Sequence, residues 1–476
     1  MSFTTIKPLE ELTIDDIRSN DWLNQDVRDR YSNKKIDYIK VNSTSKSGHS
    51  KGREIKFFNS KGREISGVSS IWIKEFFGNN DSFSEFYNAQ RNPNLLFLKE
   101  FRANEAIKEI LGNQFHPKLI GKDFLSKRLF YECLPSLNDR DRLISEKDNE
   151  NNRRRIIYSA HRDIAQMGVM LESRRRKMIS RIENDEENDK DYNKQFSDSI
   201  FSEQDRKKQL LDYLLTILKF KYEQTEGKKF EDCDDLKHYI SNNKELHIAK
   251  LVKGLHKSSE ELNYTTVWGH GDCRAHNLKL IIGNNGYYER KFIDWEQLGL
   301  CELGYDHVTY ASAEGDISSL PIEEIEKLSE FIIHTRRITR LRDLNSQGKD
   351  TKIKDYDVDK LMHDAIGKSP GSKKKFSVQL LTLSIVEHLH LYSSNLRYSQ
   401  AQRDDFSAGI DSWNNQKMFD YRPHKINEVF EFLSDYEIRD MKNGNEICNY
   451  LHFLAKSLTE LEIVDVPELV LSKLSR

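Results

Sequence analysis

Residues Trp268 to Glu296 read WGHGDCRAHNLKLIIGNNGYYERKFIDWE. Leu278 to Ile282 and Tyr287 to Ile293 are apolar-rich runs on either side of Gly283-Asn284-Asn285-Gly286, and Asn-Gly is the strongest short hairpin signal because both residues tolerate positive φ. The stretch is therefore a polar loop followed by a β-hairpin. The returning strand brings the chain back beside the loop it left, so Asp294, directly after Lys291-Phe292-Ile293, arrives near Asp272 and Asn277. A carboxylate at such a strand end is presented to a cleft. A lone His-Gly-Asp marks many turns, and any aspartate can cap a helix; the combination of Asp272, Asn277 five positions later and Asp294 is far more specific.

Working outward toward the N-terminus, residues 10 to 33 are polar and helix-compatible. Three β-rich runs follow, Lys35 to Asn42, Arg53 to Phe58 and Ile65 to Phe77, separated by Ser43 to Gly52 and Asn59 to Gly62, whose Gly and Ser content suits turns. Leu95 to Leu111 repeats apolar residues at three- and four-residue spacing, which predicts an amphipathic helix packed on a sheet. A further strand, Arg128 to Leu134, ends at Pro135, and the polar segment Ser136 to Asn152 is a boundary. Beyond it the pattern is helical over Arg153 to Asn184, Glu203 to Gln224, Asp234 to Lys257 and most of 320 to 476. The expectation is an α+β fold of two lobes, a small β-rich lobe over 1–134 and a large, mainly helical lobe over 135–476.

The spacing of His270, Asp272 and Asn277 matches H-x-D-x-x-x-x-N, the pattern of a kinase catalytic loop, and Asp-Trp-Glu stands where protein kinases have Asp-Phe-Gly. A hydroxyl attacking the γ-phosphorus of ATP needs a carboxylate to orient it and take its proton, and metal neutralises charge on the phosphates. On that pattern Asp272 is the base, while Asn277 and Asp294 supply oxygen ligands to Mg²⁺, a hard cation. His-Gly-Asp-x-x-x-x-Asn followed by Ile-Asp-Trp-Glu resembles the aminoglycoside phosphotransferase and choline kinase superfamily, most clearly over residues 268–307. The resemblance implies the two-lobed protein-kinase-like fold. It also implies a lysine on the third strand that grips ATP phosphates and a glutamate on the next helix that holds it. Lys74, within Ile71-Trp72-Ile73-Lys74, fits the first, and Glu105 fits the second, with Glu100 and Glu109 as competitors. It further implies a hinge at Tyr131-Glu132-Cys133-Leu134, with Glu132 and Leu134 binding adenine, and a phosphate cover at Ser43 to Gly52. Asp306, after Tyr305, is implied to be structural.

Bulk properties narrow the function classes. A formal net charge of -2, with basic runs such as Arg174-Arg175-Arg176-Lys177 followed by acidic ones, argues against nucleic acid as a partner. The five cysteines lack a C-x-x-C pair, which speaks against zinc or a disulfide framework. No apolar stretch approaches the roughly 18 residues a bilayer span needs, so a membrane is not expected and the cytoplasm is the expected compartment. Gly367-Lys368-Ser369 is no Walker A loop, because position 362 is Met362 rather than glycine. The function expected is Mg²⁺- and ATP-dependent transfer of phosphate to a hydroxyl of a small molecule. Glu387, Tyr392, Tyr398, Asp411, Trp413 and Tyr421 form an aromatic and acidic set for the acceptor pocket, and sugar, amino-alcohol and aminoglycoside acceptors all fit. The alternatives are an ATP-binding regulatory protein, a protein kinase or an AMP transferase. No Ala-Pro-Glu follows Asp294, which disfavours the protein kinase.

Overall fold

The structure is a computed structural model and describes residues 11–19, 23–32, 34–46, 50–65, 69–77, 92–111, 115–134, 137–184, 203–227, 229–230, 233–243, 251, 266–282, 288–314, 320–346, 373–405, 415–441 and 443–475. Its N-terminal part is an antiparallel sheet of β1 (Tyr38–Lys46), β2 (Ser50–Phe58), β3 (Ile71–Phe76), β4 (Leu119–Asp123) and β5 (Arg128–Glu132), in the order β1-β2-β3-β5-β4. Both faces of the sheet are covered. Strand side chains alternate between faces, so Ile71, Ile73 and Phe130 pack with Ile17, Leu23, Val27 and Tyr31 of the helices α1 (Ile14–Ser19) and α2 (Gln25–Ser32) and the segment between them. Phe76, Leu129 and Tyr131 face the other way, against Leu96, Phe97 and Phe101 of α3 (Pro93–Leu111).

Three expectations for this part change. β4 is a further strand, at the sheet edge; its sequence Leu-Ile-Gly-Lys-Asp is poor in β-formers, and only pairing with β5 makes it a strand. Much of Ser43 to Gly52 is strand rather than loop, since β1 and β2 stay paired from Ser43↔Arg53 to Lys46↔Lys51 across a one-residue register shift between Ser43 and Ser45; residues 47–49 lie outside the described residues. The third strand begins at Ile71, not Ile65, and Glu64 instead bridges back to Phe58.

The C-terminal part is built on helices. α4 (Asp139–Ser145) and α5 (Glu150–Asn184) lead into α6 (Glu203–Glu226) and α7 (Cys233–Asn243). Then come α8 (Tyr305–Glu314), α9 (Ile322–Ser346), α10 (Lys373–Asp405), α11 (Asn415–Asp435), α12 (Gly444–Glu460) and α13 (Glu468–Ser475). Their apolar faces form one large core that includes Leu214, Leu218, Ile332, Leu381, Ile385, Val429, Leu451 and Leu454. The same part carries two short ribbons, β6 (Thr266–Gly269) with β9 (Gly299–Glu302), and β7 (Leu278–Ile282) with β8 (Tyr288–Phe292), the hairpin the Asn-Gly signal predicts. A smaller core joins the two parts: Ala103, Ala106 and Ile107 of α3 pack with Ile156, Ala160 and Ile164 of α5 and with Trp268, Phe292 and Trp295 of the ribbons. The ribbon residues on either side of the His270–Asn277 loop thus pack against the helix that covers the sheet.

Candidate active site

The hairpin register explains how distant residues meet. Leu278 pairs with Phe292, and just beyond that pair the Ile293 N–H donates to the Asn277 carbonyl at 3.0 Å, which brings Asp294 in beside Asn277. Asp294 is in the left-handed region at φ 62 and ψ 58, a conformation unusual for a residue other than glycine and often found at functional sites. That turn directs its carboxylate toward the sheet. There Lys74 Nζ, from β3, lies 2.6 Å from Asp294 Oδ1 across 220 positions of chain, and 2.5 Å from Glu100 Oε2. Glu296 Oε2 is 3.8 Å away. Burial would lower the proton affinity of Lys74, but Asp294, Glu100 and Glu296 outweigh it and hold the ammonium well above the usual lysine range. A strand lysine paired to a helix glutamate thus meets an aspartate that follows a β-hairpin, and the hairpin returns that aspartate to the end of the H-x-D-x-x-x-x-N loop.

The fold is two-lobed and kinase-like. The partner of Lys74, however, is Glu100 and not Glu105. Glu100 lies in the buried stripe Phe97, Glu100, Asn104, Ile107, Leu111 of α3, and its other oxygen accepts from the Tyr131 hydroxyl at 2.9 Å. Asn104 secures the arrangement, donating to the Tyr131 hydroxyl and to the Glu100 carbonyl. Glu105 is five residues on, about 140° around the helix at 3.6 residues per turn. It is half-buried there, with its charge acting on Lys122. The three- and four-residue spacing of the stripe was the signal that singles out Glu100. The side chain of Glu109 lies outside the described residues.

The loop before the hairpin is clamped from behind. Asp306, at the start of α8, accepts the His270 and Gly271 N–H groups, each at 2.8 Å. His270 Nε2 donates to the Ile293 carbonyl at 2.8 Å, and Nδ1 accepts the Asp272 N–H at 3.2 Å, so both ring nitrogens are committed to backbone. Gly271 has φ 85, and a Cβ there would lie 2.4 Å from the Gln297 carbonyl oxygen. The loop can therefore follow this path only with glycine at that position. Asp272 is part-exposed, and its Oδ2 accepts from Asn277 Nδ2 at 3.1 Å. The same Nδ2 reaches the Asp272 carbonyl at 3.0 Å.

With its nitrogen spent on Asp272, Asn277 leaves Oδ1 buried and without a hydrogen-bond partner. An amide oxygen so placed, next to the Asp294 carboxylate, fits a hard cation. Among the described residues no group of three or more His, Cys, Asp or Glu side chains could hold a metal.

Of the remaining expected residues, Glu132 ends β5 and its side chain accepts from Ser69 Oγ at 3.4 Å, while Leu134 follows two positions on. Between them the Cys133 N–H donates to the Ser70 carbonyl. Glu387 is not an open acceptor-pocket carboxylate. It is fully buried and contacts Arg274 Nη2, His390 Nδ1 and the Tyr305 hydroxyl at 3.4, 3.3 and 3.4 Å. Tyr392 is half-buried and Tyr421 exposed, whereas Asp411, Trp413 and the side chain of Tyr398 lie outside the described residues. The sequence reading missed Arg274, and it also missed Arg290 of β8, which is buried between Asp139 at 2.6 Å and Asp163 at 2.8 Å and ties the hairpin to α4 and α5. Cys133, Cys273, Cys301 and Cys448 are free thiols, and no helix among the described residues is long and apolar enough to cross a membrane.

No family model matches this chain, and no curated protein matches it. Among solved structures it is similar to an ethanolamine kinase of Plasmodium vivax, at 12% identity and a TM-score of 0.42, with 82% of each chain covered. It is also similar to aminoglycoside 2'-phosphotransferase-IIIa in its GDP complex, at 10% identity and a TM-score of 0.39, covering 85% of this chain and 95% of that one. A choline/ethanolamine kinase family protein from Mesorhizobium loti aligns at 8% identity and a TM-score of 0.36, covering 89% of this chain and 92% of that one. Likeness at this level says nothing about the reaction, for which the geometry of the site is the guide.

Proposed function

We propose that this chain is a Mg²⁺-dependent phosphotransferase that moves the γ-phosphoryl group of ATP to a hydroxyl of a small molecule, a sugar, an amino alcohol or an aminoglycoside. The observation that carries the reading is the Lys74–Asp294 contact at 2.6 Å, which joins a buried strand lysine to a carboxylate beside the Asp272–Asn277 loop. Residues 1–134 would bind the nucleotide. Glu132 and Leu134 would meet adenine through backbone groups, and Lys74, held by Glu100, would meet the phosphates. Residues 135–476 would supply the catalytic loop and the acceptor pocket.

In this reading Asn277 and Asp294 hold Mg²⁺, which when bound offsets charge on the phosphates. Asp272 orients the acceptor hydroxyl and takes its proton as the acceptor oxygen bonds to the γ-phosphorus. The bond from the γ-phosphorus to the β,γ-bridging oxygen breaks, and ADP leaves with that electron pair. Asn277 and the His270-fixed backbone keep Asp272 in place, so the loop supplies orientation more than chemistry.

The test is transfer of labelled γ-phosphate from Mg-ATP to a panel of sugars, amino alcohols including choline, and aminoglycosides. The expected result is one labelled product class whose formation falls by about 10²–10⁴-fold in Asp272→Ala while nucleotide binding persists. Near wild-type transfer by that variant would remove the base assignment. Nucleotide binding with no product from any acceptor would move the reading to a regulatory ATP-binding protein or an AMP transferase.

A further inference from the structure

Arg274 stands two residues after Asp272 and contacts it on one edge, Nε to Oδ1 at 2.9 Å. Its other end is anchored elsewhere: Nη2 lies 3.4 Å from Glu387 Oε1 and 3.1 Å from His390 Nδ1, residues one turn apart on α10. The anchor is itself rigid. Glu387 has no solvent exposure, and His390 stacks on Tyr213 of α6 with ring centroids 4.6 Å apart and planes at 9°. Burial alone would push the Glu387 carboxyl up, yet His390 and Arg274 bring it down to about 2, so a full negative charge faces the guanidinium. A buried carboxylate of this kind persists only while its cationic partner stays. The planar guanidinium, with donors on separate edges, can bridge two carboxylates in a way a lysine ammonium cannot.

We propose that Arg274 is a positioning residue, a strut between the Glu387–His390 anchor on α10 and the carboxylate of Asp272, and that this strut fixes the direction in which Asp272 faces the acceptor. The inference rests on the reading of Asp272 as the base. The Arg274 guanidinium is in ion-pair contact with Oδ1, though its Nε makes no hydrogen bond there, and Asn277 donates to Oδ2, so a cation and an amide flank the two oxygens of Asp272. The helical lobe thereby sets the geometry of a loop that the hairpin and Asp306 secure only through backbone. A misplacement of about 1 Å can cost on the order of 10²-fold in rate, so the strut has a measurable consequence.

The experiment follows turnover of Mg-ATP, with water as acceptor, and binding of AMP-PNP, in the full chain and in Asp272→Asn, Arg274→Met, Arg274→Lys, Glu387→Met and Arg274→Met/Glu387→Met. Arg274→Met is expected to lower kcat by about 10²-fold with AMP-PNP affinity unchanged within about threefold, and Arg274→Lys is expected to recover only part of the rate. Arg274→Met also leaves a buried charge, so its melting temperature should fall and that of the double variant should return toward wild type. The rate of the double variant should stay as low as that of Arg274→Met. If rate recovers together with stability, Arg274 merely neutralises Glu387 and the proposal is overturned. It is overturned as well if Arg274→Met turns over like wild type while Asp272→Asn is slow, an outcome that leaves the base assignment intact. Wild-type turnover by Asp272→Asn would instead remove the base assignment and the strut with it, and if the wild-type chain does not turn over Mg-ATP with water, the same variants are compared with the acceptor that the labelled-phosphate panel identifies, where the same outcomes decide.

Discussion

Lys74 meets three carboxylates, Glu100, Asp294 and Glu296, of which burial pushes the Glu100 carboxyl up to about 7. Within the cluster the carboxylates are not equivalent. Glu100 is buried and locked by Tyr131 and Asn104, whereas the side chain of Asp294 is 37% exposed. Replacing Glu100 with alanine leaves a buried lysine with weaker compensation and should cost roughly 3 kcal/mol in urea unfolding, the low end for breaking a buried pair, because Asp294 remains. Glu105→Ala, whose interaction with Lys122 is peripheral, should cost less than about 1 kcal/mol. Equal losses from the two variants would remove the assignment of Glu100.

At the scale of elements, α5 and α8 are joined by a pair of buried histidines, His161 and His307, whose Nδ1 atoms lie 2.9 Å apart. One must donate and the other accept, so at least one of the two rings must be neutral. Burial, reinforced by Arg290, pushes His161 down to about 3, and burial, reinforced by His161 and Arg336, pushes His307 well below its ordinary value. Folded-state values below the unfolded value of about 6.5 mean that the unfolded chain binds protons the folded one refuses. Stability is then full above about pH 6.5 and falls as pH drops from there toward 3, by about 1.4 kcal/mol per pH unit for each histidine. Urea unfolding at pH 7, 6 and 5 should show that slope, and His161→Asn should show a shallower one. Since α8 begins with the Asp306 clamp on His270 and Gly271, loosening this pair acts on the element that holds the His270–Asn277 loop.

At the scale of the molecule, the Lys74–Asp294 contact and the packing of α3 on Trp268 and Trp295 join the sheet to the helices at the site itself. A ligand bound there touches both parts and should stabilise them together. Mg-ATP at 100 times its dissociation constant should add about 2.7 kcal/mol, seen as an upward shift of the melting temperature. EDTA should abolish much of the shift in the wild type. In Asp294→Ala the shift should be small and indifferent to Mg²⁺, and a shift that kept its Mg²⁺ dependence would place the cation elsewhere.

The local patterns were legible because they depend on neighbours in the chain. Hydrophobic spacing marked α3, α5 and α6, Asn-Gly marked the β7–β8 hairpin, and the order of Asp272, Asn277 and Asp294 marked the cleft, since a hairpin returns its far end to its start whatever surrounds it. What the chain order leaves open is contact between segments. β4 is a strand because β5 offers it hydrogen bonds, not because Leu-Ile-Gly-Lys-Asp prefers to be one. Glu100 rather than Glu105 meets Lys74 because α3 docks with its Phe97–Leu111 stripe inward, and the rotation of a helix on a sheet is set by packing. Arg274, Glu387 and Arg290 read as ordinary charged residues until burial removes water and leaves each only the partners that the tertiary structure brings to it.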